Sequence, residues 1–167
     1  MTTGNALIRF CAAALLAVPM LIGAGHPAGA DEILVIRSTI DPAQGERRLS
    51  ESDLLALRQV TFRTRTEFTD GVVEFTGPLA RDAIGPLDTA KATSLHLVAA
   101  NDYSIDIPIS DVLSYDVIFA MHANGKRLSI RDKGPVWLMY PLDDHPELQE
   151  SVYNARLIWQ LALVEIR

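Results

Sequence analysis

Apolar and polar residues alternate over several stretches of this chain, which is the pattern of β-strands with one buried face. Residues 60–66 alternate in this way, and Asp70-Gly71 then predicts a turn into a second strand over residues 72–76. Alternation or a short apolar run predicts the remaining strands at residues 33–36, 94–100, 103–109 and 156–166. The last of these segments could also form a helix, but its alternation favours a strand.

Helices are predicted to be few and short. Ser50 and Asp53 have the spacing of a capping box, which predicts a helix over residues 51–58. A helical turn is predicted over residues 80–84, and a further helix over residues 147–154. Because strands outnumber helices and no internal repeat or linker interrupts the pattern, the sequence predicts one β-rich α+β domain.

Two apolar segments, residues 117–121 and 136–140, are predicted as strands on either side of a turn and a charged loop. Asn124 and Gly125 favour a tight hairpin turn, since both tolerate a positive φ. The loop that follows contains Arg131, Asp132, Lys133 and Gly134. Charges held between two apolar strands are typical of a binding loop on a rigid frame.

Residues 1–30 are predicted to be a cleaved secretory signal. Arg9 precedes a charge-free apolar run over residues 10–24, and Ala28-Gly29-Ala30 fits a small-residue cleavage site. The alternative is a retained membrane anchor, but the run of about fifteen residues is shorter than the roughly 20 that span a bilayer. The sequence therefore predicts a periplasmic domain over residues 31–167, with no membrane insertion after cleavage.

Charge and cysteine content exclude several classes of function. The chain has a formal net charge of −6, which becomes −7 when the predicted signal and its one arginine are removed. An acidic domain without a basic stripe argues against nucleic acid or anionic lipid as a partner. Cys11 lies in the predicted signal, so the domain has no thiolate for catalysis or metal binding. The domain histidines lack zinc-type spacing, and no metal is expected; they are His96, His122 and His145.

The remaining candidate chemistry suits a flat, polar, aromatic ligand. Trp137 could stack on such a ligand. Asp132 or Glu67 could accept two N–H donors from an amino-pyrimidine edge. The candidates for holding carbonyl or anionic oxygens are Arg131, Lys133 and Arg156.

Gly134 would permit close backbone approach in this loop. The same residues also allow a purely structural interpretation, in which Trp137 and Trp159 are core residues and the charges are solvated. If Trp137 stacks on a ligand instead, Trp159 is still expected in the core. No nucleophile elbow, phosphate-cradling loop or dinucleotide fingerprint occurs in the sequence, and no general acid/base pair can be assigned.

Several short motifs occur in a fixed order between residues 72 and 159. They are Gly77-Pro78-Leu79, Asp102-Tyr103, Ile107-Pro108, Asn124 to Leu128, Gly134 to Pro141, and Arg156 with Trp159. In this order they resemble the oxidoreductase molybdopterin-binding domain of the sulfite-oxidase type. The resemblance implies that fold and a pterin ligand, either a reduced pterin or a molybdopterin-like one. It also adds Asp102 and Tyr103 to the candidate ligand-binding residues.

The chain departs from this family at the metal ligand. Enzymes of the family bind molybdenum through a cysteine on the loop after an early strand, and residues 64–68 of this chain contain no cysteine. The chain is more similar to a small, exported, cysteine-free branch, which implies a pterin-binding protein that works with a membrane signalling receptor.

Three hypotheses follow from the sequence. The first is a non-enzymatic periplasmic pterin binder that serves as a sensor subunit. The second is a molybdopterin-dependent oxidoreductase or its accessory subunit. The third is a structural or interaction domain that has kept the fold and lost the ligand.

Overall fold

Eleven strands and four short helices form the part of the chain that the structure describes. The computed structural model describes residues 31–85, 87 and 89–167, and the predicted signal lies outside these residues. The strands are β1 (Glu32–Ser38), β2 (Glu46–Ser50), β3 (Gln59–Arg65), β4 (Val72–Pro78), β5 (Ser94–Ala99), β6 (Ser104–Pro108), β7 (Ile118–Ala120), β8 (His122–Ala123), β9 (Lys126–Arg127), β10 (Trp137–Met139) and β11 (Leu161–Ile166). The helices are α1 (Glu51–Ala56), α2 (Ala80–Ile84), α3 (Ile109–Ser114) and α4 (Ser151–Asn154), with 3-10 turns at Pro42–Gln44, Ile130–Asp132 and Pro146–Gln149.

The strands form one five-stranded sheet, one four-stranded sheet and one separate pair. The five-stranded sheet has the order β2-β1-β11-β5-β6, and β1 and β11 are its parallel pair. The four-stranded sheet has the order β3-β4-β8-β9, and β7 pairs with β10 in antiparallel register. More residues lie in strands than in helices, and both are present, which confirms the predicted β-rich α+β class. Among the described residues, no helix has the length and apolar character needed to cross a membrane.

The strands predicted from alternation are confirmed, except at the end of the chain. β3 and β4 pair along their whole length across the predicted turn. The strand predicted over residues 156–166 begins only at Leu161. The backbone of the preceding residues forms hydrogen bonds outside the five-stranded sheet. Ile158 O accepts from Leu138 N–H, and the N–H of Gln160, whose φ is 51°, donates to Lys133 O.

The helix predictions are confirmed at α1 and corrected near the end of the chain. At α1, Asp53 N–H donates to Ser50 Oγ, and Ser50 N–H donates to Asp53 Oδ2, so both capping-box bonds are formed. The helix predicted over residues 147–154 is wrong as a single element. Glu150 has an extended backbone, with a φ of −67° and a ψ of 145°, and separates a 3-10 turn from α4.

The β7–β10 pair lies in the core, where every residue of both strands is buried. β4 packs directly against β7 at Gly77. A Cβ built on Gly77 would lie 2.0 Å from Phe119 O, so the two backbones approach as closely as they do only because this residue has no side chain.

The acid stability of the five-stranded sheet is expected to depend on Glu165. This buried carboxylate on β11 accepts hydrogen bonds from the guanidinium groups of Arg37 and Arg167. The bond from Arg37, followed by that from Arg167, holds the pKa of Glu165 below its ordinary value. Because the folded pKa is the lower one, the pairing stabilises the fold above the unfolded pKa of about 4.3 and is lost as the pH falls through the folded pKa.

Glu165→Gln is therefore expected to lower the free energy of unfolding at pH 7, and the difference from the unchanged protein should shrink below about pH 4. Urea denaturation at a series of pH values measures this difference. A difference that stays constant across the series would contradict the assignment.

Candidate functional site

A cleft opens beside the β8–β9 turn and the charged loop that follows it. Asn124 and Gly125 have φ values of 49° and 73°, as expected for the predicted tight turn. The cleft, termed the hairpin cleft, has a volume of about 360 Å³, within the usual range for small-molecule sites. It is lined by Phe68, Thr69, Asp70, Val73, Phe75, Ala123, Asn124, Leu128, Arg131, Asp132, Lys133 and Trp137.

Four of the residues predicted from the sequence line this one cleft. They are Arg131, Asp132, Lys133 and Trp137. The apolar walls come from β4, β8 and β10 and from the segment after β3. That segment also supplies Asp70, and the other charges come from the loop between β9 and β10. Aromatic walls with a few charged groups along one side suit a flat heterocycle that carries polar substituents.

Trp137 is a wall of the cleft, but its ring is largely covered. The residue is only 3% exposed, and its ring meets the ring of Phe75 edge to face at 5.4 Å. The Lys133 ammonium lies over the ring, 5.2 Å from its centroid. A planar ligand that stacks on Trp137 would therefore have to displace Lys133 first.

The two tryptophans exchange the environments that the sequence suggested. Trp159, expected in the core, is only half-buried, whereas Trp137 is buried. The reason is register: Trp137 pairs with Ala120 in the buried β7–β10 pair, whereas Trp159 lies within the irregular segment between α4 and β11. The Trp137 indole N–H is buried and has no acceptor among the described residues, so a ligand acceptor could satisfy it.

The charged loop is fixed by hydrogen bonds within itself and to the segment after β3. Ser129 Oγ donates to Asp132 Oδ2 at 2.6 Å, which leaves Oδ1 of this exposed carboxylate without a partner among the described residues. Lys133 Nζ donates to Phe68 O at 3.2 Å. The Arg131 side chain is exposed and forms no ion pair or hydrogen bond within the described part of the chain.

Gly134 is required by the packing of the loop itself. It is buried, and a Cβ at this position would lie 2.3 Å from Leu128 O. Its N–H donates to Ser129 O at 2.7 Å. The close approach that the sequence suggested for a ligand is thus made by the backbone of Leu128.

Glu67 lies in a different cleft from Asp132. This strand-end cleft has a volume of about 600 Å³ and is lined by Arg65, Thr66, Glu67, Leu142, Asp143, Gln149 and Asn154. Asp143 Oδ2 accepts from Arg65 N–H at 3.1 Å, and Asn154 Oδ1 accepts from Glu67 N–H at 3.2 Å. The cleft is polar and lies at the segment where the family resemblance implies a metal-binding cysteine.

The remaining predicted residues line neither cleft. Asp102 is exposed in the turn between β5 and β6, with a φ of 65°. Tyr103 is 55% exposed and lines a small depression of about 30 Å³ together with Trp159. Arg156 is turned toward the protein, where its guanidinium donates to Asp111 Oδ2 at 2.6 Å.

Asp111 and Tyr140 form a buried polar network with Arg156 that the sequence analysis missed. The Tyr140 hydroxyl donates to Asp111 Oδ2 at 2.8 Å, and both residues are buried. Burial, and then the nearby carboxylate, raise the pKa of Tyr140 far above its ordinary value, so it remains a donor. The available signal was an acidic residue between Ile109 and Val112, two apolar residues of one short helix that are both buried.

No protein-family model matches this sequence, and no curated protein matches it. Among solved structures, the sulfane dehydrogenase SoxCD from Paracoccus pantotrophus is similar, with a TM-score of 0.60 and 19% sequence identity. The predicted fold is confirmed. It is an α+β fold of the sulfite-oxidase type, and at this identity the likeness shows the fold alone. The match covers 82% of this chain and 38% of the other, so this chain spans well under half of the chain that it matches.

The side chains of the hairpin cleft fit a pterin better than they fit a molybdenum ion. Asp132 offers acceptor oxygens, and Arg131 and Lys133 offer donors, which is the set that a pterin edge needs. The described residues include no cysteine and no group of three or more metal-ligating side chains. They therefore provide no thiolate for the metal.

Proposed function

We propose that this chain is a non-catalytic pterin-binding protein and that it holds its ligand in the hairpin cleft. Asp132 accepts from the 2-amino group and the adjacent ring N–H of the pterin, and Lys133 and Arg131 donate to its carbonyl oxygen or to an anionic substituent. Phe68 forms one wall on which the ring lies, and Trp137 forms the other once the Lys133 ammonium has moved off its face. The observation that carries the proposal is the meeting of aromatic walls, two carboxylates and two cations in one cleft of a sulfite-oxidase-type fold.

The proposal extends to the setting in which the protein works. We propose that the protein is exported to the periplasm and acts as a sensor subunit beside a membrane signalling receptor. The predicted secretory signal and the similarity to a cysteine-free exported branch support this part.

A second candidate function is a molybdopterin-dependent oxidoreductase or its accessory subunit. The structural likeness to a sulfane dehydrogenase favours it, as does the strand-end cleft at residues 65–67. A molybdopterin bound there would supply the redox chemistry, while Glu67, Asp143 and Asn154 would offer it hydrogen-bond acceptors and a side-chain amide. The lack of a thiolate in the described chain is the argument against this candidate.

Asp132→Asn is expected to weaken the binding of tetrahydrobiopterin by about 1–3 kcal/mol, because the ligand donors would then face a donor. Glu67→Gln is expected to leave the affinity unchanged, since Glu67 lies in the other cleft. Anaerobic calorimetric titration measures both. Glu150→Gln is the matched control, an exposed carboxylate that lines neither cleft.

The outcomes separate the two clefts. A loss of affinity in Glu67→Gln but not in Asp132→Asn would move the ligand to the strand-end cleft. Unchanged affinity in both would remove Asp132 and Glu67 as the carboxylates that recognise the ligand. Thermal unfolding of each variant without ligand shows whether loss of the Ser129 hydrogen bond has loosened the loop. Metal analysis that finds about one molybdenum per chain would favour the oxidoreductase.

A further inference from the structure

The outer edge of β3 is a strand edge with no other strand beside it. β3 is the end strand of the four-stranded sheet and pairs with β4 on its inner side. With seven residues, it is the longest strand at the edge of any sheet in the described chain. A free strand edge carries unpaired backbone donors and acceptors, with which another extended chain can pair.

The backbone groups of Thr61 and Arg63 point away from β4. Thr61 lies opposite Thr76 in the β3–β4 register, and Arg63 lies opposite Glu74. The carbonyl oxygens of Thr76 and Glu74 accept hydrogen bonds on the far side of β4, from the residues that flank β8. Opposite residues of an antiparallel pair turn their backbone groups either toward each other or away from each other, so those of Thr61 and Arg63 face outward.

Arg65 marks the end of the free edge. It lies two positions beyond Arg63, so its backbone groups face the same way, and its N–H donates to Asp143 Oδ2 at 3.1 Å. The backbone N–H and C=O groups of Thr61 and Arg63 have no such partner among the described residues. The free edge therefore offers two donors and two acceptors to an added strand.

The side chains along this edge are basic, although the predicted domain as a whole is acidic. Arg58, Arg63 and Arg65 are exposed, and residues 58–65 contain no acidic residue. Glu74 lies opposite Arg63 on β4, but none of the three arginines forms an ion pair within the described part of the chain. Three unpaired cations beside free backbone groups are complementary to an acidic chain.

We infer that the outer edge of β3 binds an extended acidic segment of a partner protein, which joins the four-stranded sheet as a further strand. Main-chain hydrogen bonds from the segment satisfy the free groups of Thr61 and Arg63. Acidic side chains of the segment lie beside Arg63 and Arg65, which both point to the solvent side of the sheet. The alternate side chains lie on the opposite face beside the buried Phe62 and are apolar.

A second copy of this chain is a poor occupant of the edge. Pairing of β3 with β3 of another copy would place the arginines of both copies on one face of the joined sheet, where like charges repel. A phosphate group is also a poor occupant, since a phosphate ion with its acceptor oxygens cannot extend the strand ladder. The free backbone groups and the charge together therefore favour an acidic peptide.

The inference goes beyond the proposed function and does not depend on it. Neither Thr61 nor Arg63 lines the hairpin cleft. The test is therefore made on the chain without pterin, so that failure of pterin binding and failure of peptide binding are observed separately.

A fluorescein-labelled heptapeptide of alternating glutamate and valine, blocked at both ends, is the probe. Fluorescence anisotropy is expected to show saturable binding, and Arg63→Glu should weaken it at least about tenfold, because like charges then face each other. Lys126→Glu is the matched control. It makes the same charge change at an exposed residue of β9, the opposite edge of the same sheet, and should bind like the unchanged protein.

The backbone pairing is tested at Thr61. Thr61→Pro removes an outward N–H that makes no bond to β4, at an edge position that tolerates proline, and should weaken binding at least about tenfold. Thr61→Val is its control, because it keeps the N–H and loses the same hydroxyl, which bonds to Thr76 Oγ1 at 2.8 Å. Circular dichroism checks that each variant is folded.

Hydrogen exchange of the unchanged protein, measured by NMR, provides a test that needs no variant. Peptide addition should slow exchange at the amides of Thr61 and Arg63. Absence of binding, or binding that Arg63→Glu leaves intact, would overturn the inference, and the arginines would then only keep the edge free of other chains. Unchanged exchange at both amides, or equal binding by Thr61→Pro and Thr61→Val, would overturn the addition of a strand.

Discussion

Replacement of Trp137 by alanine is expected to lower the free energy of unfolding by about 3–5 kcal/mol, the usual cost of removing a large buried aromatic side chain. Trp137 is 3% exposed and lies in the strand pair at the centre of the core. Its ring contacts the rings of Phe75 and Trp159, at 5.4 Å and 6.4 Å between centroids. Alanine would remove these contacts and leave a cavity that the surrounding strands cannot close.

Trp159→Ala is the matched control for this prediction. Trp159 is half-buried, so its replacement should cost distinctly less stability than that of Trp137. Chemical denaturation followed by circular dichroism measures both variants without relying on tryptophan fluorescence. A larger loss of stability in Trp159→Ala than in Trp137→Ala would contradict the prediction, because Trp159 would then be the ring that contributes more to the core.

Asp111→Ala is expected to lower the free energy of unfolding by about 3–5 kcal/mol, as removal of one partner from a buried ion pair usually does. Asp111 is 5% exposed, and a single oxygen, Oδ2, accepts from both the Tyr140 hydroxyl and the Arg156 guanidinium. Without this carboxylate, a buried hydroxyl and a largely covered cation both lose their acceptor. Of its contacts with the described residues, the Arg156 guanidinium would keep the one with the Tyr153 ring, 4.7 Å from the ring centroid.

A double-mutant cycle of Asp111→Ala and Arg156→Ala measures the interaction energy between these two side chains, separately from the packing that each variant loses. Because the two residues contact each other, the double variant should be clearly less unstable than the sum of the single variants. If the losses in the free energy of unfolding were additive, Arg156 and Asp111 would stabilise the fold independently, which would contradict a coupled network.

The sequence predicted those parts of the fold that depend on neighbouring residues. The alternation over residues 60–66 marked β3, and Ser50 with Asp53 marked the start of α1, since both signals arise within a few positions of the chain. The helix at residues 147–154 was predicted as one element because nothing in its composition indicates the extended backbone at Glu150. Beyond the β3–β4 pair across the Asp70-Gly71 turn, which strands become neighbours was not predicted, because that pairing depends on residues far apart in sequence.

The candidate site was predicted in part for the same reason. Arg131, Asp132 and Lys133 are consecutive, so their presence in one cleft follows from the loop that carries them. Glu67 could not be assigned to a different cleft without knowledge of the tertiary packing. The environments of Trp137 and Trp159 were reversed, since both residues lie in apolar segments and only the register of β10 on β7 buries the former.

The position of β11 has a consequence for how this chain folds. The last strand in chain order lies in the middle of the five-stranded sheet, between β1 and β5, and the paired residues Arg37 and Glu165 are 128 positions apart. Pairing across such a separation raises the contact order and slows folding, because a long loop must close before the contact can form. Until residues 161–166 have paired, β1 and β5 each expose an unpaired strand edge. Pairing of these edges with other incompletely folded chains then competes with completion of the sheet.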